Sequence, residues 1–312
     1  MDQTTLQTII HFAYVLAAAL FVVGLHMMNS PASARRGNIL SAAGMTLAVA
    51  MTVIYLVLLG SPLTGEPVAP LGWPIIIVGT LLGGGLGLYS ARVVKMTAMP
   101  QLVSIFNAVG GGAAGLIAIE DYMAAVGRGE VSVPVSIFVV LGVVLGAIAF
   151  TGSVIATGKL QGTIPGRPIV FPGARLLTAL LAILALGGTG ALILGAAGLL
   201  PAVAGLELAI LGVIVVSALL FGVTMVLPIG GADMPVVISL LNSGTGLAAA
   251  MAGLVINNPV LIIGGALVGA SGGILTKLMA DAMNRSVTSI MIGGFGTGDS
   301  GPAGEAAGAG GE

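Results

Sequence analysis

The chain has 312 residues, of which 57% are hydrophobic, 51 are glycine and only 7% are charged, against roughly 25% charged in soluble domains. So few polar side chains cannot coat a soluble globule of this size, which excludes a soluble enzyme, a nucleic-acid binder with a basic face and a disordered linker. The net charge of −1 says nothing about partners, while the absence of cysteine excludes disulfides and thiolate chemistry; the composition predicts an all-α, polytopic membrane helix bundle.

A helix crossing the hydrocarbon needs about 20 apolar residues. Charge-free runs predict nine spans, roughly 5–27, 38–59, 73–92, 100–119, 134–157, 175–198, 204–227, 234–255 and 259–280. The first is not a signal peptide, because only Asp2 is charged before Arg35 and the apolar run is too long. His11 lies about two turns into it with no polar companion in the sequence, and His26 ends it. Pro62, Pro67 and Pro70 separate the second and third spans, and Pro165, Pro168 and Pro172 the fifth and sixth. Residues 234–276 hold no charge but are too many for one span, and Asn257-Asn258-Pro259 divides them. Arg35, Arg36, Arg92, Lys95, Lys159, Arg167, Arg175, Lys277 and Arg285 all fall on one side of this arrangement. Arg128 falls on the other, beside Glu120, Asp121 and Glu130. The distribution predicts an outside N-terminus and a cytoplasmic C-terminus. Residues 1–285 are thus expected to form a transmembrane domain. Residues 286–312 are expected to be a glycine/alanine-rich flexible linker or tail. The G-x-G-x-x-G at Gly296, Gly298 and Gly301 has neither strand nor helix around it, so it is not read as a dinucleotide site.

The chain repeats itself once. Met99-Pro100-Gln101-Leu102-Val103-Ser104-Ile105-Phe106-Asn107 recurs as Met234-Pro235-Val236-Val237-Ile238-Ser239-Leu240-Leu241-Asn242, at a constant offset of 135 that also relates Gly111 to Gly246. Both copies start on the same side, so the repeat is parallel. Each proline heads its helix, where the missing amide has no partner to lose. Helical spacing puts Ser104, Asn107, Gly110 and Gly111 on one face, and Ser239, Asn242, Thr245 and Gly246 on another. Each asparagine lies about 10 Å past its proline, a third of the hydrocarbon depth. Two readings stay open: a polar path lined by carboxamides and hydroxyls, or glue between packed helices. Asp233, directly before the eighth helix, is either an N-cap or a functional carboxylate. Its counterpart is Ala98, so the fold does not demand a cap there. No catalytic constellation, metal-ligand spacing or phosphate loop is found.

Several longer motifs carry a resemblance. They are 95–103 (Lys95-Met96-Thr97-Ala98-Met99-Pro100), Phe150-Thr151-Gly152-Ser153-Val154 with Gly158-Lys159-Leu160, 230–243 (Gly230-Gly231-Ala232-Asp233-Met234-Pro235), 266–275 and Ala282-Met283-Asn284-Arg285-Ser286. Together they resemble the beta-subunit family of the proton-translocating NAD(P) transhydrogenases over nearly the whole chain. The resemblance implies the membrane proton-channel part of an enzyme that couples hydride transfer from NADH to NADP+ with inward proton movement. It implies no hydride-transfer site and no cofactor in this chain, with NAD and NADP in the complete complex. The implied partners are alpha subunits, including extra membrane helices, and an NADP(H)-binding domain that follows the linker and is absent from this chain. A homodimer of the whole complex in a bacterial plasma membrane is implied as well. Carried over by motif, Asn242 serves proton passage and Asp233 the cytoplasmic mouth facing the NADP(H) domain. Arg285 leads into the linker, and Ser153 pairs with Gly152 on the fifth helix. Gly272 packs the last helix, as Gly246 is expected to pack the eighth. Asn107, Ser104, Ser239 and Ser153 complete the expected path. One departure stands out: many relatives have a titratable histidine where this chain has Asn107. An amide cannot take and release a proton near neutrality, so the histidine is expected from a partner's membrane helix. The competing expectation is a secondary transporter or channel whose asparagines bind a solute.

Overall fold

The computed structural model describes residues 3–61, 67–200 and 205–294. Among them the chain is all helix: α1 (Gln3–Met27), α2 (Pro31–Leu59), α3 (Gly72–Val93), α4 (Met99–Arg128), α5 (Val133–Gln161), α6 (Ala174–Ala196), α7 (Leu206–Val226), α8 (Met234–Val255), α9 (Pro259–Ala282) and α10 (Val287–Gly294). Single tight turns, Met96–Ala98 and Gly231–Asp233, lead into α4 and α8. Nine of the described helices are long and apolar enough to cross a bilayer.

The helix ends differ from those expected, for reasons of backbone chemistry. α2 starts at Pro31 because Ser30 caps it, its side chain accepting from the Ala32 amide. Arg35 and Arg36 therefore sit inside the helix. α4 runs on to Arg128 and α5 to Gln161, where Gly129 and Gly162 turn left-handed (φ 69° and 78°) and end them. Glu120, Asp121 and Lys159 are thus helical residues rather than loop charges. The stretch expected as a linker opens with α10, whose Ile290 is buried against Met234 and Val237. The rest of that stretch, with its G-x-G-x-x-G, lies outside the described residues.

α4, α5, α7 and α8 form the centre, α9 packs along α8, and α1 with α2 lies against α9. One apolar cluster fills the end where α8 starts, around Met225, Val226 and Met234. Another fills the opposite end, around Tyr122, Val139, Val143 and Ile214. α3 buries none of its residues; its Leu81, Leu82 and Leu86 face outward, as lipid contact requires.

Two helix pairs approach through glycine. A Cβ on Gly146 of α5 would sit 2.6 Å from the Gly111 oxygen of α4. A Cβ on Gly246 of α8 would sit 2.5 Å from the Gly269 amide of α9. No larger residue fits either crossing. α8 runs parallel to α4: Thr245 lies at Gly110 and Gly111, and Leu241 at Gly152.

Candidate functional site

In the first half of the repeat, the polar residues converge on α5. Ser104 Oγ donates to the Ser153 carbonyl (2.9 Å), and Thr157 Oγ1 donates to the same oxygen (2.9 Å). Asn107 Nδ2 donates to Ser153 Oγ (2.8 Å). All four side chains are buried. The other end of the carboxamide, Asn107 Oδ1, has no hydrogen-bond partner, so an acceptor stands ready inside the bundle.

The second half repeats this arrangement with one group missing. Ser239 Oγ donates to the Gly272 carbonyl (3.3 Å), and Thr276 Oγ1 donates to that oxygen as well (2.7 Å). Gly272 stands where Ser153 stands in the first half. It offers no hydroxyl, and the side chain of the half-buried Asn242 makes no hydrogen bond to the described residues. A Cβ on Gly272 would lie 3.0 Å from Ser243 Cα. That closeness also lets Ser243 Oγ reach the Gly269 carbonyl (2.5 Å).

Of the residues expected to share one path, Ser104, Asn107 and Ser153 meet directly, while Ser239 is turned toward α9. Both serine hydroxyls are spent on neighbouring backbone, which is interhelical glue. The two carboxamides retain free capacity. Thr245 lies between the halves, its Oγ1 3.2 Å from where a Cβ on Gly111 would be. Gly152 admits Leu241, whose methyls lie 3.1 Å from the position its Cβ would take.

The end of the bundle at the start of α8 holds a second polar set. Asp233 and Arg285 form an ion pair, Nη1 to Oδ2, 2.6 Å. Asp233 is 7% exposed, its Oδ1 has no partner, and its side chain caps no amide of α8. The N-cap alternative is therefore not what this side chain does. Arg285 reaches it because the chain reverses after α9, with Asn284 left-handed (φ 56°) and the Arg285 amide donating to the Ala280 carbonyl. Sequence reasoning missed Lys159 here. Its buried ammonium donates to the carbonyls of Leu227 and Ile229, at the negative end of α7. Gln101 Nε2 donates to the Leu160 carbonyl (3.1 Å). The Gly231 amide donates to Gly166 (2.7 Å). α5 thus connects Ser153, about two turns from its end, to the turn that carries Asp233.

His11 also differs from its expected setting. It lines a cavity of about 200 Å³ with Gln7, Tyr14, Thr52 and Asn257, and Tyr14 hydrogen-bonds Thr52 across it (2.9 Å). Gln7 and Tyr14 stand about one turn to either side of it on α1, and Thr52 and Asn257 come from α2 and the α8–α9 turn.

Comparison with known proteins agrees with this architecture. A family model described as NAD(P) transhydrogenase beta subunit matches residues 10–310. The NAD(P) transhydrogenase subunit beta of Rhodospirillum rubrum is 41% identical over 290 residues, covering 91% of this chain and 58% of the relative. A second sequence of that name, from a specified strain of the same organism, matches to the same extent. The chain therefore spans less than two thirds of the length of these curated relatives. Its apolar helices mark it as a multi-pass membrane protein, and the chain belongs to the NAD(P) transhydrogenase beta subunit family.

Proposed function

We propose that this chain is the membrane proton-channel part of an NAD(P) transhydrogenase. In this reading it couples inward proton translocation to hydride transfer from NADH to NADP+ performed by other domains. One observation carries the reading: two asparagines stand at the same level of parallel helices in an apolar bundle, Asn107 buried with its oxygen unpartnered and Asn242 half-buried with no side-chain hydrogen bond to the described residues. Unsatisfied amides inside a bilayer are costly, so they serve water or a partner group. Asn107, held by Ser153, presents its oxygen as an acceptor. Asn242, held by nothing, turns to whichever donor or acceptor reaches it. Neither amide titrates, so these groups order a proton's route without storing the proton. The store is a histidine from a partner's membrane helix, the residue type whose charge changes near neutral pH.

The other parts follow from this assignment. Asp233, with Arg285, forms the cytoplasmic mouth and senses the docked NADP(H) domain. The N-terminus is outside and the C-terminus cytoplasmic, in a bacterial plasma membrane. Alpha subunits supply the additional helices, the whole complex is a homodimer, and NAD and NADP are bound by other domains. The experiment is Asn242→Leu in the complete complex, reconstituted in vesicles. The substitution removes both amide functions at nearly constant size. Proton-coupled turnover is expected to fall at least about tenfold, as when a proton-transfer group is lost, with assembly intact. Unchanged proton pumping would refute the channel reading.

A further inference from the structure

Asp121 lies on α4, toward the end opposite the Asp233–Arg285 pair, and is only 2% exposed. Neither carboxylate oxygen has a hydrogen-bond partner. The cation of that segment, Arg128, is held by Glu130 at 2.7 Å. Buried polar groups are nearly always hydrogen-bonded, and an unpaired carboxylate is among the costliest groups to leave without a partner.

A second exception stands about one turn away. The antiparallel α4–α5 pair sets Ser104 beside Ser153, Gly111 beside Gly146 and Ala118 beside Gly142, which brings Asp121 level with Val139 of α5. Ser136, one turn from there, is 0% exposed, and its hydroxyl also lacks a partner. Two buried polar groups left open in this part of the bundle call for partners that the described residues do not supply.

The position on the helix extends the argument. Asp121 comes fourteen residues after Asn107 and eleven after Gly110, close to whole numbers of turns in each case. It therefore shares the face that α4 turns to α8, where Thr245 Cγ2 lies 3.5 Å from the place of a Gly110 Cβ. Between Asn107 and Asp121 that face carries Gly110, Ala114 and Ile117. The two polar stations are about 21 Å apart along α4.

We propose that Asp121 is a proton-binding site in the outer half of the bundle. It takes a proton from the outer aqueous side and passes it inward toward Asn107. The proton arrives from water, forms a carboxyl O–H, and leaves to the next water, restoring the carboxylate; no other bond changes. The inference rests on the channel reading and adds a titratable station within this chain, distinct from the partner histidine near the asparagines.

The test uses the complete complex in vesicles, with Asp121→Asn, Asp121→Glu and, in parallel, Asn242→Leu. Asp121→Asn keeps size and hydrogen bonding but cannot take a proton. It is expected to lower proton-coupled turnover at least about tenfold, with NADP(H) affinity unchanged, while Asp121→Glu retains most of it. Infrared difference spectra between the NADP+-loaded and NADPH-loaded complex are expected to show a carboxyl C=O band. That band should shift in Asp121→Glu and vanish in Asp121→Asn. Full pumping by Asp121→Asn while Asn242→Leu is inactive would overturn this inference alone. Full pumping by both would overturn the channel reading with it. If Asp121→Asn fails to assemble, identical carboxyl bands in the unsubstituted and Asp121→Glu complexes would overturn the proposal.

Discussion

Asp233 and Arg285 show what a single residue contributes. Each is recognisable from its motif, but they are 52 residues apart in the chain, and only the reversal at Asn284 brings guanidinium to carboxylate. Spacing along the sequence cannot report such a contact. The pair is partly open, so its stability contribution lies between exposed and buried values, about 1–2 kcal/mol. Its larger effect is to fix a buried carboxylate at one mouth of the bundle. Asp233→Asn and Arg285→Gln in the complete complex should each weaken coupling between NADP(H) occupancy and proton movement. The double variant should lose no more than either single one, because the two act as a unit. Strictly additive losses would show that they act separately.

At the scale of elements, the glycines decide which helices touch. Gly146→Val would drive a branched side chain into the Gly111 backbone and should destabilise the complex by about 1–3 kcal/mol or more. Gly79→Ala on α3 meets nothing within 4 Å and should be neutral or slightly stabilising through helix propensity. Thermal unfolding in detergent checks both, and equal effects would contradict the packing described here. The same crossings explain what the sequence could and could not reveal. The first helix of each pair is legible as a repeat at offset 135. The second is not, because α8 has only 22 residues against 30 for α4, and Gly265 lies nearer the start of α9 than Gly146 does to the start of α5. Gly146 and Ser153 therefore correspond to Gly265 and Gly272 at a different offset, with few identical residues. Only the shared carbonyl acceptors, each taking a serine and a threonine hydroxyl, expose the correspondence. Charges in the sequence do not mark the helix ends here, since the backbone ends α4 and α5 at left-handed glycines. Asp121 and Lys159 therefore lie within helices, where charge spacing alone does not place them.

For the whole molecule, composition fixed the environment before any motif was considered: a chain 7% charged cannot be soluble at this size. That environment then gives each polar group its weight. In water the free amide of Asn242 would mean little; in a bilayer an open amide calls for a partner. The asymmetry between the halves, Ser153 in one and Gly272 in the other, leaves the second asparagine open to a group from another chain. On the proposed reading the beta chain is an incomplete path. A water file with no titratable gate would leak, and each charge crossing about 100 mV carries about 2.3 kcal/mol of driving force. Proton flux into vesicles tests this most directly, with the beta chain alone compared with the complete complex during hydride transfer. The predicted result is pumping by the complex and, for the beta chain alone, a flux no greater than that of protein-free vesicles. Proton conduction by the beta chain alone at a rate comparable to the complex would contradict the account.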